Sequence, residues 1–252
     1  MCKKYAVFID GENIPAEYFD SIMSEIVKEN DDVLIKRIYA DWTTEHKSIH
    51  KWKERIINSP IRVFQQFRNG PNATDNSIIM DAIELAIQNM EINAFCIVST
   101  DSDYYSLALR LRENGKYVLG IGMENSKEIW QNSCNEFIKI ENIIKSKELL
   151  EGENKEEALE KLSIRKINVK NNKNVSLENI IEYGLSNSRI NDDGWISFSD
   201  FGSTIKKKYP SFDPRTYSCN KLLHIIKRFQ DDIEIKYDNC FPPNYFLREI
   251  TE

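Results

Sequence analysis

Carboxylate side chains stand just after several β-prone segments of this chain. Asp10, Asp41 and Asp101 each follow such a segment within three residues, and Asp103 comes two residues after Asp101. The carboxyl ends of parallel strands meet at one edge of a sheet, which is where ligands bind in open α/β sheets. Asp75 stands at the start of a segment with helical periodicity. These positions predict a cluster of acidic groups at one edge of the fold.

A cluster of this kind implies a bound cation. Two carboxylates ~4 Å apart repel each other by roughly 4 kcal/mol at an effective dielectric constant of about 20, and a divalent ion removes that repulsion. Ligation by carboxylates alone selects hard cations such as Mg²⁺ or Mn²⁺. Such an ion activates water and stabilises the charge that develops on a phosphate under attack. The acidic residues therefore predict a metal-dependent hydrolase that acts on phosphodiesters.

Each of these residues also has a purely structural interpretation. An Asp after a strand is often the N-cap of the next helix, where its side chain accepts hydrogen bonds from free backbone N–H groups. Asp81 follows Asp75 by six residues, or about 240° around a helix, so at most one of the two need face the site. We treat Asp41 and Asp81 as supporting candidates for this reason.

Five apolar, β-prone segments alternate with segments of helical periodicity in the first 144 residues. The predicted strands cover residues 4–9, 33–40, 61–67, 94–98 and 117–122. The helical segments cover residues 15–29, 45–58, 74–90 and 104–114, followed by a helix at 126–133 and a short strand at 136–140. Strands that alternate with helices predict an α/β fold, with a mostly parallel sheet flanked by helices on both faces.

The bulk composition excludes several classes of protein. The chain holds 252 residues with a net charge of −6 and 41% hydrophobic residues, enough for two domains with their own cores. Five scattered cysteines without a Cys-x-x-Cys pair argue against a disulfide framework or a zinc site and fit a reducing cytoplasm. The sequence contains no run of about 18 consecutive apolar residues, so no membrane span is predicted. The apolar run that ends at Asp10 is too short for a signal peptide.

The acidic net charge is unusual for a nucleic-acid-binding protein, so any basic contacts must be local. One basic segment covers residues 46–68, where cations could follow a phosphate backbone while Trp42 and Trp52 stack on bases. The candidates in this segment are Lys51, Lys53, Arg55 and Arg68. The alternative is a solvated helix face with core tryptophans, and the sequence leaves both interpretations open.

Three motifs in the first part of the chain resemble those of NYN domains, the LabA-like branch of the PIN-like nucleases. They are Ile9–Asn13 (Ile-Asp-Gly-Glu-Asn), Ala73–Ala86 and Ser99–Tyr104 (Ser-Thr-Asp-Ser-Asp-Tyr), in that order. The resemblance covers about residues 4–140 and implies a PIN-like, Rossmann-like sheet. It implies that Asp10 is a metal ligand and that Asn13 orients the site. Ser99 and Thr100 belong to the third motif and are supporting candidates.

The composition changes after residue 144. Residues 145–174 are rich in Glu, Lys and Asn and are predicted to form a charged linker. Residues 175–252 predict a small second domain of three helices and a terminal hairpin, the outline of a winged helix-turn-helix. Its predicted helices cover 177–188, 199–209 and 214–229, and its strands cover 233–237 and 245–248.

Two stretches of this region, Gly194–Ser203 and Lys206–Tyr217, resemble the LOTUS or OST-HTH domain. That family is a winged helix-turn-helix associated with RNA binding, and it often follows an NYN domain. The residues expected to contact RNA are Lys206, Lys207, Lys208 and Arg215. A solvated basic face is the alternative for these residues, and recruitment of another protein is the alternative for the domain.

Together these observations predict a cytoplasmic ribonuclease that depends on Mg²⁺ or Mn²⁺ and cuts single-stranded RNA internally. Asp10, Asp75, Asp101 and Asp103 are the expected catalytic residues and metal ligands, and single-stranded or structured RNA is the expected partner. Domains of the PIN-like class often pair, so the resemblance also allows a homodimer, and no membrane association is expected. Two alternatives stay open: an adaptor that binds RNA without cutting it, and a nuclease directed at DNA.

Overall fold

The computed structural model describes residues 2–27, 31–67, 72–151, 176–238 and 240–250. The chain divides into two compact units, Met1–Ile144 and Lys145–Glu252, and each is described by itself. No helix in the described ranges is long and apolar enough to cross a membrane. Most of the predicted linker, residues 145–174, lies outside the described residues.

Six parallel strands form one sheet in the first unit. They are β1 (Lys4–Asp10), β2 (Asp32–Ala40), β3 (Arg62–Gln65), β4 (Ala94–Val98), β5 (Tyr117–Gly122) and β6 (Glu136–Lys139). Their order across the sheet is β3-β2-β1-β4-β5-β6, and every neighbouring pair runs parallel. The predicted α/β fold with a parallel sheet is confirmed.

Helices pack on both faces of this sheet. They are α1 (Phe19–Ile26), α2 (Lys47–Ile57), α3 (Ala73–Gln88), α4 (Tyr105–Glu113), α5 (Glu128–Ser133) and α6 (Ile140–Glu151). One core cluster joins Phe19 and Trp52 to Val7, and the other joins Ile78 to Phe8 on the opposite face of β1. Strands β1 and β4 are buried almost throughout, as central strands of a covered parallel sheet must be.

The order in which strands are added to the sheet changes side at β1. After β1 the chain builds β2 and β3 on one side, and it then returns to place β4 on the other side of β1. Such a topological switch point opens a crevice at the carboxyl ends of the two strands. Asp10 is the last residue of β1, and Asp101 follows β4 by three residues. The fold therefore brings the acids of two separate motifs to the same edge.

The second unit combines short helices with an antiparallel sheet. Its described elements are α7 (Leu177–Asn187), β7 (Ile196–Ser197), α8 (Phe198–Lys208), α9 (Leu222–Ile226), β8 (Ile233–Tyr237) and β9 (Tyr245–Glu249). The strand order is β7-β9-β8. The predicted terminal hairpin is present, and β7 adds a third strand of two residues, too short for sequence alternation to indicate.

The helix predicted over residues 214–229 is wrong, because this segment is broken into a 3₁₀ turn, the short helix α9 and a second 3₁₀ turn at Lys227–Phe229. A 3₁₀ turn at Pro214–Tyr217 ends at Ser218, whose φ of 57° lies in the left-handed region. Lys221 is extended, with φ −142° and ψ 149°, and α9 begins after it. A left-handed residue cannot continue a right-handed helix, so the backbone at Ser218 overrides the helical spacing of the side chains.

Candidate active site

An open cleft of about 370 Å³ lies at the carboxyl ends of β1 and β4. Four carboxylates from three chain segments line it, namely Asp10, Glu12, Asp75 and Asp101. The other lining residues are Asn13, Gln66, Phe67, Asn72, Ala73 and Thr74. Three of the four acids expected to be catalytic therefore share one cleft.

Asp10 is the most deeply buried acid of the cleft, with 4% of its surface exposed. Its Oδ1 accepts hydrogen bonds from the backbone N–H groups of Glu12 (3.2 Å) and Asn13 (3.1 Å). Its Oδ2 accepts one from Ser99 Oγ (3.1 Å). Burial, followed by the negative charge of Asp75, raises the pKa of Asp10 to about 7, although these hydrogen bonds oppose the rise. The site therefore holds a carboxyl group that ionises near neutrality.

Ser99 connects the two strand ends. It is fully buried, and its hydroxyl accepts a hydrogen bond from the backbone N–H of Asp101 (3.1 Å) while it donates to Asp10. Asp101 also caps the following 3₁₀ turn, since its Oδ1 accepts from the backbone N–H of Asp103 (3.0 Å). Asp103 itself is exposed and lies outside the lining of the cleft.

Tyr104 links the acid on α3 to the acid on β1. Its buried hydroxyl donates to Asp75 Oδ1 (2.7 Å) and lies 3.4 Å from Asp10 Oδ2. Burial, with the charges of Asp10 and Asp75, raises the pKa of Tyr104 well above its usual value, so the hydroxyl stays protonated as a donor. The pKa of Asp75 is raised by burial and by the charges of Asp101, Asp103 and Glu12, while the bond from Tyr104 lowers it.

Glu12 and Tyr104 belong to this site, yet the sequence did not assign them a role. Glu12 accepts a hydrogen bond from Thr74 Oγ1 (3.1 Å) at the start of α3 and another from the backbone N–H of Asp41 (3.4 Å). Both residues stand inside motifs used for the resemblance, two or three residues from Asp10 and Asp101. Their closeness to Asp10 and Asp101 in the sequence could have indicated a role in the site, but the direction in which each side chain points depends on the fold.

Asn13 and Thr100 meet across the crevice. Asn13 lines the cleft, and its Oδ1 accepts a hydrogen bond from the backbone N–H of Thr100 (3.3 Å). Thr100 Oγ1 in turn accepts from the backbone N–H of Met123, just beyond β5 (3.4 Å). These two supporting residues therefore tie together the loops that follow β1, β4 and β5.

Two supporting acids lie outside the lining of the cleft. Asp41 is buried, and its Oδ1 accepts hydrogen bonds from the backbone N–H of Thr43 (3.0 Å) and from Gln65 Nε2 (2.9 Å), so it holds the turn after β2. Asp81 pairs with Arg37 Nη1 (2.7 Å) and accepts a hydrogen bond from Tyr39. Asp75 faces the cleft and Asp81 does not, which matches their separation around α3.

The basic candidates of the first unit differ in their surroundings. Lys51 pairs with Glu17 (2.8 Å), Arg55 pairs with Asp20, and Lys53 is exposed. Arg68 lies outside the described residues. Trp52 is buried and donates from Nε1 to Ile14 O (2.8 Å), and Trp42 donates to Phe64 O (2.8 Å). The tryptophans therefore hold the core and its loops, which favours the solvated-face interpretation of α2.

The basic candidates of the second unit also differ, because one is held in an ion pair and three are exposed. Lys206, Lys207 and Lys208 are exposed in the last turn of α8. Arg215 forms a two-pronged pair with Asp213, with Nη2 to Oδ2 at 2.6 Å and Nε to Oδ1 at 2.9 Å, and both side chains are largely buried. Arg215 therefore serves the fold of its own segment, while the three lysines face solvent.

In the described part of the cleft lining, the side-chain atoms able to ligate a metal are all oxygens, which is the ligand chemistry of hard divalent cations. Among the described residues, no three Asp, Glu, His or Cys side chains stand close enough to enclose an ion by themselves. Mg²⁺ commonly keeps several waters and is held through one or two carboxylates together with substrate phosphates. The residues fit this open mode of binding and do not form a closed protein cage.

Two known proteins are similar to part of this chain. An uncharacterized protein of Methanocaldococcus jannaschii is 28% identical over 182 residues, 61% of this chain and 70% of the relative. A crystal structure of a Vibrio parahaemolyticus protein of unknown function matches with a TM-score of 0.45 and 19% identity, over 55% of this chain and 93% of that one.

Two family models match the chain, in the order that the sequence motifs predicted. The OST-HTH/LOTUS domain matches residues 172–239, within the region of the second unit. The NYN domain matches residues 4–141, which include every residue of the acidic cleft. This chain therefore belongs to the NYN domain family, which is part of the PIN-like nuclease superfamily, and it carries an OST-HTH/LOTUS domain after its NYN domain.

Proposed function

We propose that this chain is a ribonuclease that uses Mg²⁺ or Mn²⁺ to hydrolyse phosphodiester bonds within single-stranded RNA. The observation that carries the proposal is the open cleft at the switch point of the sheet, where four carboxylates face one space. The raised pKa of Asp10 reflects burial beside a second negative charge, a situation that a bound cation relieves. An open cleft also accepts a strand that continues in both directions, which favours internal cleavage.

Asp10, Asp75 and Asp101 are the proposed acids around the cation, with Glu12 beside them; one or two of these carboxylates would bind it directly, and water and substrate phosphates would complete the site. The cation supplies a Lewis acid that activates water and offsets the negative charge of the phosphate in the transition state. Tyr104 positions Asp75 through its hydroxyl, and Ser99 positions Asp10 and Asp101 together. Asp103 contributes negative charge from just outside the cleft, because its charge raises the pKa of Asp75.

Selection of RNA is assigned to the second unit. We propose that residues 1–144 form the nuclease domain, residues 145–174 the linker and residues 175–252 the RNA-binding domain. OST-HTH/LOTUS domains bind RNA, and the exposed Lys206, Lys207 and Lys208 are the proposed phosphate contacts. The homodimer and the cytoplasmic location stay predictions.

An adaptor that binds RNA without cutting it is the second candidate function. The observation in its favour is that, over the described ranges, no three metal-binding side chains converge on one point. A cleft of this kind depends on substrate phosphates to complete the metal site, so weak binding of the cation would abolish cleavage and leave RNA binding intact.

The test is cleavage of end-labelled single-stranded RNA by the full chain with Mn²⁺ or Mg²⁺, with EDTA, and by Asp10→Asn and Asp101→Asn. We expect products only with a cation, and a fall of at least about 100-fold in either variant, the scale seen when a transition-state contact is lost. Glu113→Gln, which removes an exposed charge elsewhere in the same unit, should cleave normally. RNA binding without cleavage under any metal would select the adaptor, and faster cleavage of single-stranded DNA would select a DNA-directed nuclease.

A further inference from the structure

Among the described residues that line the acidic cleft, Phe67 is the one aromatic side chain. It is 65% exposed, two residues beyond the end of β3. A single exposed apolar residue on a protein surface needs no explanation. This ring, however, borders a cleft whose other lining residues are acids, amides, one hydroxyl and one alanine. It is therefore the surface in the cleft that can accept the flat face of another ring.

Gln66, next to Phe67, also lines the cleft and is held firmly. Its backbone N–H donates to Ala40 O (2.9 Å), and its carbonyl accepts from Gln65 Nε2 (3.0 Å). Its side-chain Oε1 accepts a hydrogen bond from Ser77 Oγ (2.6 Å) on α3. With Oε1 held by Ser77, the Nε2 group of the same amide is fixed at the wall of the cleft. A fixed amide donor thus stands beside an exposed ring.

We propose that Phe67 and Gln66 form a nucleobase subsite beside the metal-binding acids, where one unpaired base of the substrate strand stacks on Phe67. Gln66 Nε2 then donates to a ring nitrogen or carbonyl oxygen on the edge of that base. Stacking on an aromatic side chain tolerates every base, since each has a π face. A base inside a duplex has both faces covered by its neighbours, so this subsite selects single strands. The proposal rests on the proposed function, because it takes the cleft as the place where the nucleic-acid strand lies.

The test compares binding of two short strands to the full chain carrying Asp10→Asn, which removes cleavage. One strand is a tetranucleotide of uridine, and the other is the same ribose-phosphate strand without bases, so the two carry equal backbone charge. We expect the base-bearing strand to bind about tenfold more tightly, as one stacked base provides. Adding Phe67→Ala should remove most of that ratio, whereas Phe67→Tyr should keep it.

Two controls separate stacking from other effects. Ile57→Ala removes an 82% exposed apolar side chain from α2 of the same unit and should leave the ratio unchanged. Bases bound elsewhere on the chain contribute equally to the affinity ratio of the protein with Phe67 and of the Phe67→Ala variant. The readout is therefore the decrease of that ratio on substitution. An unchanged ratio in Phe67→Ala, or equal affinity for both strands in the parent protein, overturns the subsite.

Cleavage assays without the Asp10→Asn change separate the subsite from the proposed function. If Phe67→Ala loses the base dependence of binding while no protein cuts RNA, the subsite stands and the nuclease falls. If the chain cuts RNA and Phe67→Ala neither weakens binding nor raises KM for single-stranded substrate, the nuclease stands and the subsite falls.

Discussion

Asp10 sets the electrostatic character of the candidate site. The folded protein retains a proton on this carboxyl up to about pH 7, whereas the unfolded chain releases it near its ordinary value of 3.8. Between these two pH values the folded state binds more protons than the unfolded state, so stability falls as pH rises through that window. Above pH 7 the ionised group costs the fold free energy in the absence of a cation.

Asp10→Asn should therefore stabilise the protein at pH 8 in EDTA. A pKa raised from 3.8 to about 7 corresponds to roughly 4 kcal/mol. We expect a gain of about 1–3 kcal/mol in the free energy of unfolding, because Asn replaces one accepting oxygen with a donor. Urea denaturation at pH 8 and at pH 4 measures it, and the gain should vanish at pH 4. An equal gain at both pH values would contradict the charge argument.

Tyr104→Phe should weaken cation binding without removing an acid. The hydroxyl of Tyr104 donates to Asp75 and favours the charged form of that carboxylate, so its loss leaves Asp75 less well positioned for the cation. We expect about tenfold weaker Mn²⁺ binding at pH 7, the scale of one hydrogen bond to a charged group. Calorimetric titration measures it. Tyr105→Phe changes the neighbouring, partly exposed tyrosine and should bind Mn²⁺ normally.

At the scale of elements, each acid of the cleft depends on where a strand or helix ends. Asp10 closes β1, Asp101 begins the turn after β4, and Asp75 lies in the first turn of α3. Parallel strands carry these ends to one edge, and Ser99 and Tyr104 bridge them by side-chain hydrogen bonds. The cleft is therefore a product of element termini, and shifting one strand by a residue would turn its acid away.

In the second unit, the approach of α7 to α8 depends on Gly184. A Cβ at this position would lie 2.5 Å from Phe201 Cε2 and 2.9 Å from Ile205 Cγ1. Gly184→Ala should lower the stability of this unit by about 1–2 kcal/mol, since overpacking outweighs the gain in helix propensity. Gly202→Ala on α8 meets its nearest atom at 3.6 Å and should be neutral or stabilising. Denaturant unfolding distinguishes them, and equal effects would refute the close-approach argument.

At the scale of the whole molecule, we propose that the second unit provides most of the RNA affinity and the first unit provides the chemistry. A chain with a net charge of −6 needs local positive charge to hold a phosphate backbone. The last turn of α8 supplies it with three consecutive exposed lysines. These lysines also have a purely structural explanation, because positive charges in the last turn of a helix interact favourably with the helix dipole.

Replacing Lys206, Lys207 and Lys208 by Ala should therefore weaken RNA binding and leave kcat unchanged. Each phosphate contact on a single strand contributes roughly 0.7 to the slope of log affinity against log salt concentration. Losing three contacts should therefore lower the magnitude of that slope by about 2. Fluorescence anisotropy over a salt series measures it. The double variant Lys51→Ala/Lys53→Ala tests the competing surface on α2, and a larger change there would move the RNA contacts to the first unit.

Much of this architecture could be predicted from sequence because it depends on local patterns. Apolar runs and helical spacing locate the strands and helices, and the alternation of the two predicts a parallel sheet. An acid directly after a strand then lies at the ligand-binding edge whatever the details of packing. The NYN and OST-HTH/LOTUS motifs are likewise continuous in the chain, so they were recognisable without the fold.

Only the tertiary structure decided which side chains share the cleft. Asp75 faces it, whereas Asp81 pairs with Arg37, and Arg215 is taken up by Asp213. Glu12 enters the site by reaching Thr74 on α3, sixty-two residues further along the chain. The physical reason is that spacing fixes the face on which a residue stands, while hydrogen bonds and ion pairs form between whichever groups the fold brings within about 3 Å.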